Sequence, residues 1–320
     1  MPLIRTMVAA MLGLCATSSV YAQALDTPVR IVLPYQAGGV GDATARMIAE
    51  SLRESLKRTV IVENKAGAAG RIGVQAVKDT TPDGSVLLFT PIAPMAVFPH
   101  VYDKLGYDPV ADFIPISQVA TFDFALAVGA NVPSKSLVEL VSWLRANPNA
   151  ATYGSPAAGS LPHFFAVLFA QTAKIDMRHV AYKGNSQAIT DLIGGHLPIY
   201  FTSTQDLVET QKGGRLRILA TSGLQRSSAL PDVPTFTEAG YGISGEGWYG
   251  IYAPAKTPPE LISQLNAAVV SAVRAPEVRS RLIHLGLVPT GTSGPDLARI
   301  QKADWDFWGP VIKASGFKPQ

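Results

Sequence analysis

Only one cysteine occurs in the 320 residues, Cys15, and it sits in an N-terminal stretch that is almost free of charge. Arg5 is the sole charged side chain before Asp26. The apolar core of that stretch, residues 7–14, is too short to cross a bilayer as a helix. Val20-Tyr21-Ala22 supplies the small residues of a cleavage site. Residues 1–22 therefore read as a secretory signal peptide, cut after Ala22. Leu14, just before Cys15, is not small, which disfavours a lipid anchor. A mature chain that has lost Cys15 carries no thiol, no disulfide and no cysteine metal ligand.

Charge imbalance is small as well. Against 24 acidic residues stand 27 basic ones, and loss of Arg5 leaves 26. A net charge of about +2 argues against an electrostatic nucleic-acid surface. There is no second long apolar run to span a membrane, and no fixed-period repeat to build a solenoid. No G-x-S-x-G elbow, phosphate loop or H-E-x-x-H occurs. The histidines, His100, His163, His179, His196 and His284, are scattered, with no pair four apart. The sequence thus predicts no metal and no cofactor.

What is present is a long α/β alternation. Apolar residues make up 47% of the chain, enough for two domains. Strands are predicted at 29–33, 59–63, 86–89 and 122–128, with helices at 44–56 and 72–78. The pattern then restarts. Helices are predicted at 137–146 and 161–172, with strands at 151–154, 178–181, 197–202, 216–221 and 248–253. Helices at 259–273, 277–285 and 296–314 close the chain. Strands alternating with helices predict parallel sheets covered on both faces. A restart without a flexible linker predicts two lobes with a ligand cleft between them. Trp305 and Trp308 should pack on one lobe, with the carboxylates of Asp304 and Asp306 in solvent.

Three turns suggest what the cleft holds. The first, Pro34-Tyr35-Gln36-Ala37-Gly38-Gly39-Val40-Gly41-Asp42, joins a strand to a helix. Such a turn aims bare N–H groups and a helix dipole at one place, which suits an anion. Asp42 can cap the helix or touch a ligand, and the sequence favours neither. The second turn runs from Tyr153-Gly154-Ser155 to Gly159-Ser160-Leu161-Pro162-His163, with Ser160 as N-cap and hydroxyl donor. The third is Tyr182-Lys183-Gly184. Any one of them also serves as a plain tight connection, but three from two lobes can meet around one small anion. A rival reading exists. Gly39-Val40-Gly41-Asp42-Ala43-Thr44 approaches a dinucleotide fingerprint, with Thr44 replacing the third glycine and Glu63 at ribose distance. The secretory signal weighs against it, because free dinucleotide is scarce outside the cytoplasm. A secreted α/β enzyme or a dinucleotide-binding oxidoreductase stays as the alternative.

The ordered series of motifs resembles the receptors of tripartite tricarboxylate transporters, the Bug or TctC type. It comprises Pro34-Tyr35-Gln36-Ala37-Gly38-Gly39 with Asp42 and Arg46, Ala66-Gly67-Ala68-Ala69-Gly70, Pro82-Asp83-Gly84 and Tyr107-Asp108-Pro109. Further on come His179-Val180-Ala181-Tyr182-Lys183-Gly184, Asp191-Leu192-Ile193-Gly194-Gly195 and Leu230-Pro231-Asp232-Val233-Pro234. The resemblance implies a two-lobed periplasmic binding protein of type II, a Venus flytrap, and no catalysis. One lobe would hold residues 23–124 and 249–320, the other residues 125–248. The ligand implied is a small carboxylate, a di- or tricarboxylate or an aromatic acid, handed transiently to membrane transporter subunits by a monomer in the periplasm. The implied contacts are Tyr35, Gln36, Ala37, Gly38, Gly39, Gly41, Asp42, Thr90, Pro91, Ser155, Gly159, Ser160, His163, Tyr182, Lys183, Gly184 and Thr202. Two departures stand out. Thr90-Pro91-Ile92-Ala93-Pro94-Met95 is more apolar than the family's usual small polar residues, and Thr202 stands where the family often has an acid. The second departure disfavours an amino-acid ligand.

Overall fold

The computed structural model describes residues 27–182 and 184–318. The proposed signal peptide with Arg5, Cys15 and Ala22 lies outside the described residues, as does Lys183.

Two sheets carry the fold. The run Val29–Leu33 is β1, with four of its five residues buried. It pairs in parallel with β2 (Val60–Asn64) and β3 (Val86–Pro91). β10 (Gly247–Pro254) then runs antiparallel between β3 and β4 (Phe113–Phe122), and β11 (Val288–Pro289) edges β4. The order is β11-β4-β10-β3-β1-β2. The second sheet has the order β7-β6-β8-β5-β9, from β5 (Phe124–Val128), β6 (Thr152–Ser155), β7 (Arg178–Ala181), β8 (Ile199–Ser203) and β9 (Arg217–Thr221).

Helices cover both sheets. In chain order they are α1 (Val40–Leu56), α2 (Arg71–Lys78), α3 (Phe98–Val101), α4 (Leu137–Ala146) and α5 (Leu161–Ala173). Then follow α6 (Asn185–Ile193), α7 (Val208–Lys212), α8 (Pro259–Arg274), α9 (Pro276–His284) and α10 (Gly294–Ser315). Helix α1 is amphipathic: Ala45, Ile48 and Leu52 face the core. Among the described residues no helix is long and apolar enough to cross a membrane.

The structure corrects four sequence expectations. Neither sheet is wholly parallel, because β10 runs antiparallel to β3 and β4, and β5 antiparallel to β8 and β9. The strand expected at 122–128 is a junction: β4 ends at Phe122, Asp123 intervenes, and β5 starts at Phe124 in the other sheet. Most of β4 escaped detection because Pro115, Ser117 and Gln118 interrupt its apolar pattern. One loop holds this stretch: Ser117 Oγ donates to the Thr292 carbonyl (2.8 Å), and Thr292 Oγ1 accepts from the Gln118 backbone N–H (2.9 Å). Helix α1 begins at Val40, not residue 44, because Gly39 is already an extended N-cap. Finally, Asp304 does not sit in solvent. It accepts the indole N–H of Trp248 at 2.7 Å, and burial pushes its carboxyl up to about 6. Helix α10 also reaches across both lobes. Trp308 packs edge-on to Phe165 of α5 (4.9 Å between rings), while Trp305 packs on His100 (4.8 Å).

Candidate ligand-binding cleft

The first wall of the cleft is backbone. Gly39 caps α1 with no side chain, and no side-chain bond closes the helix start. The N–H groups of Gly39, Val40 and Gly41 therefore donate to no described protein atom. Asp42 explains why the turn keeps this shape. Its carboxylate accepts from the Gly38 N–H (3.1 Å), from Arg46 Nε (3.0 Å) and from Asn64 Nδ2 (2.9 Å). Burial alone would raise its pKa, but these bonds hold the carboxyl below the usual range. Both its oxygens are thus engaged inside the lobe, so Asp42 shapes the turn and neutralises Arg46. Gly38 has φ +95°, a conformation glycine adopts without strain.

The second wall mixes backbone and side chains. Ser160 caps α5 as its sequence position predicts, accepting from the His163 N–H at 3.4 Å. Its own proton goes to the Ala157 carbonyl (2.7 Å). The Ala158 N–H donates to no described atom. Behind this turn the histidines are not scattered. His163 and His179 stack with ring centres 4.0 Å apart. His163 Nδ1 accepts the Gly159 N–H (3.0 Å), and Ser155 Oγ lies 2.7 Å from His179 Nε2. Burial lowers both imidazoles to about 4, and for His163 the neighbouring His179 adds to the effect. Neutral rings can therefore stack, and Ser155 and His163 support the turn from behind.

The two walls enclose a cavity of about 480 Å³. Of the predicted contacts, Tyr35, Gln36, Gly39, Gly41, Asp42, Pro91, Gly159 and Ser160 line it. Ala37, Gly38, Thr90, Ser155, His163, Tyr182, Gly184 and Thr202 do not. Thr90 is buried and its hydroxyl bonds the Pro91 carbonyl (3.2 Å). Tyr182 donates to Asp191 (2.9 Å), and the Gly184 N–H ties the start of α6 to the Pro156 carbonyl (2.9 Å). Sequence reasoning missed Asn185, Ser203, Gln205 and Asp206 from the second lobe, and the aromatic lining of Phe98, Tyr102, Phe122, Phe124 and Tyr249. Thr202, where the resemblance leads one to look for an acid, is buried and does not line the cavity. In the structure Thr202 Oγ1 lies 3.0 Å from Asp206 Oδ2 and 2.9 Å from Asn185 Oδ1. An acid four residues on thus enters the cavity. Glu63, which a dinucleotide would need, instead pairs with Arg30 (3.2 Å) and does not line the cavity.

Two α/β lobes that enclose a small polar-tipped cavity define a periplasmic binding protein of the two-lobed kind. The chain belongs to the tripartite tricarboxylate transporter family receptors, whose profile matches residues 44–317. It is 31% identical to Protein BugT of Bordetella pertussis over 294 residues, covering 91% of this chain and 90% of that protein. The solved structure of R. palustris Rpa4515 with adipate is 30% identical, with a TM-score of 0.83, over 92% of this chain and 99% of that one. MatC from Rhodopseudomonas palustris with bound malate is 27% identical, with a TM-score of 0.77, over 89% and 98%. As a member of this receptor family the chain is a receptor and not an enzyme.

Proposed function

We propose that this receptor captures a small carboxylate in the periplasm and hands it transiently to the membrane subunits of a tripartite tricarboxylate-type transporter. One observation carries the reading. The N–H groups of Gly39, Val40 and Gly41 at one helix start border a cavity whose other wall includes the start of α5, and none of the three has a partner among the described residues. A carboxylate supplies the acceptors that such donors lack, and the dipole of α1 favours its charge. The adipate and malate held by two similar proteins support a carboxylate ligand here as well.

The rest of the reading follows from it. The chain is exported by cleavage after Ala22 and acts as a monomer. Residues 23–124 with 249–320, and residues 125–248, turn as rigid lobes about the strand crossings near Asp123 and Gly247. Thermal unfolding with adipate, malate, benzoate and NAD tests the function. A ligand that binds the folded state raises the midpoint. Stabilisation by at least one acid and none by NAD is expected; stabilisation by NAD alone would overturn the reading.

A further inference from the structure

The C-terminal end of the chain joins the two walls at a place remote from the strand crossings. Helix α10 is fixed to the elements of the first sheet for most of its length. Gln301 Nε2 donates to the carbonyls of Met95 (3.2 Å) and Pro109 (3.3 Å), and its Oε1 accepts from Tyr252 (3.0 Å). The Trp305 carbonyl lies 3.0 Å from His100 Nε2. Gly309 sits on the same imidazole, where a Cβ would come within 2.9 Å of it.

Past the helix the chain changes partner. Gly316 closes α10 at φ +65°. The Phe317 N–H then donates to Ser315 Oγ (3.1 Å), which itself donates to the Ile312 carbonyl (2.6 Å). With its backbone fixed in this way, the Phe317 ring lies against the start of α5. It stands edge-on to His163 (5.3 Å between ring centres) and to Phe164 (5.7 Å). It also covers the backbone of Gly159: a Cβ there would meet the ring at 2.9 Å, and Val101 of α3 at 3.7 Å.

What the ring covers is the turn that faces the cavity. Ala157, Ala158, Gly159 and Ser160 all line it. Ala157 and Ala158 are exposed and carry only methyl groups, so this turn has little apolar surface of its own to bury. Its Gly159 N–H is held by His163 Nδ1 (3.0 Å), and Phe317 packs on both members of that bond. We propose that Phe317 is a positioning residue for ligand capture: from the end of a helix bonded to the first sheet, it holds the Ala157–Ser160 turn in the shape that receives the ligand. The inference rests on the cleft being the receptor's binding site and adds a residue that does not itself line it. A turn freed of this packing has to be ordered again by the ligand, which weakens binding without any lost ligand contact.

Two variants, Phe317→Ala and Phe317→Leu, test this by two readouts. The first needs no ligand. Amide hydrogen exchange of Gly159 should be about tenfold faster or more in Phe317→Ala and close to wild type in Phe317→Leu, while Ile31 and Val32 of β1 stay unchanged. The second is calorimetry with adipate, malate and benzoate, far below the melting midpoint, where each variant is fully folded. An acid that binds wild type should bind Phe317→Ala about tenfold more weakly, the effect of one backbone residue that has to be fixed again, and Phe317→Leu should restore most of the loss. A lower melting midpoint with unchanged affinity or unchanged Gly159 exchange would overturn the proposal, since it marks packing alone. So would faster exchange at Gly159, Ile31 and Val32 alike, or a Phe317→Ala chain that fails to fold, because either makes Phe317 a residue of overall stability. Wild type that binds none of the three acids would count against the carboxylate reading, and the exchange result would then decide the role of Phe317.

Discussion

The two walls of the cleft present different groups to the cavity. The first lobe offers backbone: Gly39, Val40 and Gly41 present N–H groups, and Asp42 is occupied in shaping them. The second lobe offers side chains: Asn185, Ser203, Gln205 and Asp206 enter from the ends of β8 and α6. Backbone donors recognise what all carboxylates share. Side chains recognise what differs between them. On the proposed carboxylate reading, the backbone wall would hold the acid and the side-chain wall would set its selectivity.

The largest expected effect comes from filling the backbone wall. Gly39 has φ −87°, and an added Cβ would meet no protein atom within 4 Å. Gly39→Val should therefore fold normally while its side chain occupies the place of the ligand. Calorimetry should show affinity lost by about a hundredfold or more, near 3 kcal/mol. A folded variant that binds normally would move the anion site elsewhere.

Asp42→Ala comes next and separates shape from contact. It removes three hydrogen bonds that order the turn. Stability should fall by about 1–3 kcal/mol in chemical denaturation, and affinity should fall with it. Weaker binding at unchanged stability would make Asp42 a ligand contact instead.

On the second wall, Ser160→Ala should cost about 1 kcal/mol, as loss of an N-cap does. That corresponds to a melting midpoint lower by about 2–4 °C. Because the Ser160 hydroxyl donates to Ala157, affinity should change less than stability.

The smallest effect is a difference in pH dependence. His163 and His179 are held to about 4, below their ordinary 6.5. Between these values the unfolded chain binds more protons, so their contribution to stability is full above 6.5 and is lost as pH falls towards 4. Asp123 acts with the opposite sign. Burial, aided by the charge of Glu246, pushes it up to about 7, and its contribution is lost as pH rises through that value. The useful comparison is therefore wild type against His163→Asn. The variant's midpoint should fall less than the wild type's between pH 6.5 and 4. An equal or steeper fall would show that these rings are not held neutral by burial.

The same contrast explains what the sequence made legible. The Gly38-Gly39-Val40-Gly41 turn could be read directly, because glycine between an apolar strand and an amphipathic helix has a local meaning. The capping by Ser160 was equally local. Asp206 had no such signal: it stands in Ser203-Thr204-Gln205-Asp206, an ordinary polar strand end, and only the placement of β8 beside β5 and β6 brings it to the cavity. The His163–His179 stack depends on β7 and α5 meeting behind the second turn, which spacing along the chain does not reveal. Phe122 and Tyr249 fall in predicted strands at 122–128 and 248–253; their rings meet with centroids 5.0 Å apart, and the same pair also lines the cavity.

The most direct test of the central claim is an amide NMR titration with the tightest acid found. The backbone amides of Gly39, Val40 and Gly41, together with Ala158 across the cleft, should show the largest saturable shifts. Saturable binding that leaves the three first-lobe amides unmoved would contradict a carboxylate held by that backbone.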